Sequence, residues 1–296
     1  MGYSGRYHAA SLAAVFIALA IGILIGVGLA DDVVSGTSEA LEDSLRSDLD
    51  EAEQRRDELG GELEREQKFG ERVYPAVVSG RLAGSSIAVV AVGGLSDEVV
   101  ADIEEAVEPA GATVEARAVI AVPADPAAIA DDAPPRFNPA RRGGAGLERL
   151  GRAVGAGLIG GSGVGDRVRG SVFERFSGSL EDVDRVVFVG SSLGGLEPGE
   201  REDTEALLQG IIDGVERNAA GVVAVERTDT EPGTLLPFSS SGIATVDHVD
   251  LVAGRVATVF SLLGAGGDYG VKEGADSFLP DLINPAPASG AGTPEQ

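Results

Sequence analysis

From Ala9 to Ala30 the chain runs 22 residues with Ser11 as its only polar side chain. As a helix this stretch would span roughly 33 Å, enough to cross the hydrocarbon core of a bilayer. A secretory signal usually carries a shorter apolar run of about 7–15 residues, so the length favours a retained anchor. Gly28 and Ala30 nevertheless form a small-x-small pair before Asp31 that a signal peptidase could accept. Arg6 precedes the segment and Asp31 and Asp32 follow it. The positive-inside rule then places the N-terminus in the cytoplasm and the remainder outside the cell membrane, as a single-pass protein. Small residues recur every fourth position, at Ala10, Ala14, Ala18, Gly22, Gly26 and Ala30. Such spacing lets two helices approach closely in lipid, and Ala14, Ala18, Gly22 and Gly26 are the expected pairing positions.

The next stretch is acidic. Between Asp31 and Arg72 lie 15 acidic and 6 basic residues, and the first proline after the anchor is Pro75. Leu45, Leu49, Ala52, Leu59 and Leu63 alternate at steps of three and four, which predicts a short coiled-coil seam. Arg56, Glu66 and Gly70 interrupt it, and Gly60 and Gly61 cost the helix about 1 kcal/mol each relative to Ala. Tyr74-Pro75 is expected to end it. A narrow apolar stripe on a lone helix has nothing to cover it, so pairing with a like or unlike chain is expected.

Beyond Ser85 the pattern changes to alternating strands and helices. Strands are read at 85–92, 113–122, 184–190, 221–228 and 241–246, and helices at 96–111, 147–160, 201–221 and 249–264. Residues 123–146, rich in Pro, Ala, Arg and Gly, read as a long loop. The expected fold class is α/β: a mostly parallel, three-layer domain with helices on both faces of the sheet. The organisation is therefore 1–30 cytoplasmic stub and transmembrane helix, 31–74 acidic coiled coil, 75–283 extracytoplasmic domain, and 284–296 disordered tail.

Charge and motifs exclude several chemistries. A formal net charge of -25 repels phosphate backbones, so no nucleic-acid partner is expected. The first strand leads into AVGGLSDE (91–98), with acidic residues where a dinucleotide pyrophosphate would sit, so no nucleotide is expected. GSSLG (190–194) places Ser192 as in a nucleophile elbow, with Asp229 and His248 in hydrolase order. That motif needs a helix to start at the serine, whereas Gly195 and Pro198-Gly199 follow; a strand-end loop and a non-enzyme are expected. GGSGVGDR (160–167) does not follow a strand and reads as a loop. Asp247, His248 and Asp250 offer oxygen and nitrogen donors and are weak candidates for a divalent metal.

Four stretches together carry a family resemblance: RYHAASLAAVFIALAIGILIGVGL at the start, the coil ending at Tyr74-Pro75, TVDHVDLVAGRVATVFSLL (245–263) and GGDYGVKEGADSFLP (266–280). They resemble the actinobacterial copper transporter MctB family over nearly the whole chain. The resemblance implies an envelope protein linked to copper homeostasis or transport, described for some relatives as an outer-membrane channel. Other relatives of this layout look like partners of a second membrane protein in cell separation, acting on cell-wall hydrolases. The residues themselves supply few copper ligands, so no cofactor is expected from composition. Cu(I) prefers thiolates and thioethers, and the chain has no Cys and Met only at position 1. Aromatics at 4% do not provide the girdles of a β-barrel. A non-catalytic scaffold that pairs through its anchor and coil is the rival expectation.

Overall fold

A computed structural model describes residues 5–161 and 163–282, with side chains omitted for 5–7 and 28–43. The expected tail, 284–296, lies outside the described residues. Two compact units emerge, Met1–Glu66 and Gln67–Gln296.

Helix α1 covers Gly5–Val78. It therefore continues past Tyr74-Pro75, correcting the expected stop. Proline inside a helix removes one N–H and crowds the preceding turn. Here tertiary contacts hold that turn in place: Tyr74 and Val78 are buried, and Ser79 N donates to Pro75 O at 2.9 Å.

The second unit is a seven-stranded sheet. Its strands are β1 (Ser86–Val92), β2 (Thr113–Ile120), β3 (Phe173–Gly178), β4 (Arg185–Val189), β5 (Gly221–Val225), β6 (Thr245–Val246) and β7 (Asp268–Tyr269). Their order is β3-β2-β1-β4-β5-β6-β7, and every pairing is parallel except the edge pair β2–β3. The central strands are continuous apolar runs, as strands covered on both faces require.

Helix α2 (Asp97–Val107) begins where the sequence predicts, with Ser96 Oγ accepting from Val99 N. With α8 (Val252–Leu262) and the end of α1 it covers one face of the sheet, burying Tyr74, Ile103 and Phe260. The other face carries α3 (Pro126–Asp132), α4 (Gly144–Gly157), α5 (Val164–Val172), α6 (Pro198–Glu216) and the short α7 (Leu236–Ser239), around Leu150, Phe188, Ile211 and Phe238. The architecture is thus the expected three-layer α/β arrangement.

Three local readings need correction. Residues 123–146 are not a loop: α3 and a 3-10 helix (Pro135–Arg142) fill most of that span. Asp125 caps α3 by accepting from Ala127 N and Ala128 N, and Pro126 suits its first turn. The second half of GGSGVGDR is helix and not loop, because α5 begins at Val164 with Gly163 at its cap. The strands expected at 221–228 and 241–246 shorten to β5 and β6, since the chain leaves the sheet to form polar contacts described below.

Helices α4 and α6 meet through glycines four apart in each. A Cβ at Gly151 or Gly155 would run into the carbonyl oxygens of Leu207 and Ile211. One at Gly210 or Gly214 would run into those of Glu148 and Arg152. The missing side chains let the backbones touch, as in close-packed helices of membranes.

Candidate functional site

Three places could carry function: the carboxyl edge of the sheet, the polar cluster joining the two C-terminal motifs, and the exposed row along α1.

At the carboxyl edge the strand order reverses between β1 and β4, the usual position for ligands in open α/β sheets. A crevice of about 510 Å³ opens there, lined in part by Gly94, Ser96, Arg175, Gly190 and Arg227. A neighbouring groove of about 530 Å³ contains Ser192 with Leu193, Gln209 and Leu236. Ser192 Oγ accepts from Gly194 N at 3.3 Å, and α6 starts only at Pro198. Asp229 faces Arg227 at 3.4 Å, and His248 is completely buried. Ser192, Asp229 and His248 are therefore not assembled as a proton relay.

The polar cluster explains the two C-terminal motifs. Asp247 follows β6, and its carboxylate accepts from Val271 N at 2.9 Å and Lys272 N at 2.8 Å. A Cβ at Gly270 would collide with that carboxylate, so the GVK segment needs its glycine. Lys272 Nζ then reaches back to Glu226 Oε1 at 2.7 Å, Arg227 O at 2.9 Å and Thr230 O at 2.8 Å. Thr234 Oγ1 donates to the second Glu226 oxygen. Glu226, at 3% exposure, is thus a buried carboxylate with both oxygens satisfied. A small cavity of about 110 Å³ remains beside Glu226, Asp247, Asp268, Tyr269 and Lys272.

His248 stacks on Phe278, with ring centroids 5.2 Å apart. Its Nδ1 lies 3.2 Å from Asp247 Oδ1, yet neither ring nitrogen makes an aligned hydrogen bond. Burial lowers the imidazole's pKa below its ordinary value, and the Asp247 charge opposes this without reversing it. Asp250 is committed elsewhere, accepting from Thr228 N at 2.8 Å and Thr228 Oγ1 at 2.5 Å. The three candidate metal donors are therefore not gathered around one point. Among the described residues, no three His, Asp or Glu side chains are grouped to hold a metal ion.

A second polar junction fixes the end of α1. Tyr74 Oη donates to Ala106 O at 2.5 Å, and burial pushes its phenol pKa well above the ordinary range. Arg255 lies 2.7 Å from Glu105 and 3.3 Å from Glu71. Lys272, Glu226 and Arg255 were not singled out by sequence pattern, because each acts on a partner distant in the chain. Lysine inside an otherwise apolar and acidic closing motif was the available signal, since the chain holds few lysines.

Along α1, residues His8–Val27 have a mean hydropathy of 2.7 and make one helix long and apolar enough to cross a membrane. Ala14 and Ala18 are exposed, and a Cβ at Gly22 or Gly26 would meet nothing within 4 Å. Leu45, Leu49, Leu59 and Leu63 are 59–64% exposed, with Ala52 exposed between them.

Comparison with known proteins agrees with these motifs. The family described as "Copper transport outer membrane protein, MctB" matches residues 3–123 and 169–280. Curated relatives named "Copper transporter MctB", from Mycobacterium bovis and two strains of Mycobacterium tuberculosis, are 32% identical over 111 residues. That stretch is 38% of this chain and spans 35% of the relatives' length. The segment between the two matched stretches holds α3, the 3-10 helix and α4. With most of its length matched, the chain belongs to the MctB copper transport family.

Proposed function

We propose that the chain is a single-pass membrane protein, N-terminus inside, that presents its α/β unit outside the cell membrane. In this reading it serves the copper homeostasis or transport named for its family as a non-catalytic member of an envelope assembly. It pairs through anchor and coil, and passes no copper through ligands of its own.

The observation that carries the reading is the exposed leucine row on α1, which begins at Leu45 on the same helix as the apolar span of membrane length, His8–Val27. Exposed apolar stripes of this kind mark interaction surfaces. The donor chemistry agrees: cysteine is absent, and methionine occurs only at position 1. The most attractive oxygen and nitrogen donors, Asp247, His248 and Asp250, are engaged or buried.

The test combines a strain lacking the gene with calorimetry on the full chain in detergent. Copper sensitivity of the strain, with no site tighter than about micromolar in the protein, is the expected result. A tight copper site would replace assembly by direct binding. Unchanged copper tolerance with failed cell separation would move the role to cell-wall hydrolase control.

A further inference from the structure

The exposed row on α1 also says what kind of helix can cover it. Its heptad positions follow from the spacing: Leu49, Arg56, Leu63 and Gly70 fall at a, and Leu45, Ala52, Leu59, Glu66 and Val73 at d. At its far end the row is already occupied by the chain itself, since a Cβ at Gly70 would sit 3.5 Å from Val252 of α8. The uncovered part is 45–66.

In a parallel pair, a faces a and d faces d. A second copy in that arrangement would set Arg56 against Arg56 and Glu66 against Glu66 inside the seam. The flanks add to the repulsion: Asp48 at g would oppose Glu53 at e of the next heptad. Arg55 and Glu62 at g would oppose only Gly60 and Gln67. No attractive flank compensates for the two like-charged layers. Arg56 is held by nothing stronger than the neighbouring Asp57, at 3.0 Å on an open surface, so it is free to turn to another partner.

We infer that the 45–66 row is built for a different chain: a parallel helix with an acidic residue opposite Arg56 and a basic residue ten positions later, opposite Glu66. This inference rests on the assembly reading above, because parallel orientation follows from two helices rising from one membrane. A reversed second copy would place Arg56 against Glu66, but neighbouring anchored copies cannot reverse.

The absence of cysteine in the chain makes the test clean. Full-length protein carrying Ala52→Cys is oxidised in membranes, alone and with Arg56→Leu and Glu66→Leu. A synthetic probe helix is added in parallel, with Leu at its other seam positions, Glu opposite Arg56, Lys opposite Glu66 and Cys opposite Ala52. Expected are little symmetric dimer from Ala52→Cys alone, and about tenfold more once both charges are removed. The probe should cross-link about tenfold better than the same helix with its two charges exchanged. The inference is overturned if Ala52→Cys alone dimerises as readily as the charge-free variant, or if exchanging the probe's charges changes nothing. It is equally overturned if Leu59→Cys and Leu63→Cys chains join in reversed register. In those cases pairing survives and only the partner's identity fails. A chain that cross-links with no copy and no probe overturns the assembly reading itself.

Discussion

Glycines four residues apart occur in helices of both units of this molecule, with opposite surroundings. In α4 and α6, Gly151, Gly155, Gly210 and Gly214 lie against facing backbone, with no room for a methyl group. In α1, Gly22 and Gly26 face open space. The same spacing is thus a finished joint in one place and an unoccupied surface in the other. The globular unit pairs its buried Glu226 carboxylate internally, with Lys272 and Thr234, while the His248 ring nitrogens stay without an aligned hydrogen bond. The N-terminal part of α1 leaves its apolar rows uncovered. The difference teaches where stability resides and where association is to be sought.

The largest test of that contrast is Lys272→Met. It leaves Glu226 buried without its cation, and removing one partner of a buried pair costs about 3–5 kcal/mol. Denaturant unfolding of the full chain should show this loss in the globular unit. Next, Gly155→Leu forces a side chain into the Ile211 backbone, and overpacking should cost about 3 kcal/mol in the same measurement. By contrast, Gly22→Ile with Gly26→Ile should leave that unfolding transition unmoved while reducing the symmetric cross-linking of the Ala52→Cys chain that also carries Arg56→Leu and Glu66→Leu by about tenfold in membranes. A shift in the transition, or unchanged cross-linking, would erase the distinction between joint and surface.

The smallest effect concerns pH. His248 has a folded pKa below its unfolded value near 6.5. The unfolded chain therefore binds the proton more readily, so the stability from the buried neutral ring is present above about pH 6.5. It is lost as pH falls from there through the lower folded value. His248→Gln should flatten the dependence of stability on pH in that window. An unchanged slope would mean that burial does not hold the ring neutral.

Legibility followed the range of the interaction. Local signals were readable: the apolar runs of β1 and β4, Ser96 before α2, the periodicity of α8. Asp125-Pro126 also carried a cap and a helix start, but the surrounding Pro and Gly composition masked them. Edge strand β3 was missed because its exposed Glu174, Arg175 and Ser177 dilute strand alternation. The glycines of α4 and α6 carry no local sign of their role, because the backbone that each accommodates belongs to another helix. Of the candidate site, the motifs were visible but their roles were not. Asp247 and Lys272 lie 25 residues apart, and nothing local reveals that one holds the other's amide.

The late position of Lys272 has a consequence for biogenesis. Glu226 is synthesised well before the lysine that neutralises it, and β7, which completes the sheet, also comes late. A chain delivered across a membrane from its N-terminus would carry an open edge and an unpaired interior carboxylate until the GVK segment arrived. Closure of the sheet edge and neutralisation of Glu226 therefore both wait on the same short segment, Asp268–Lys272.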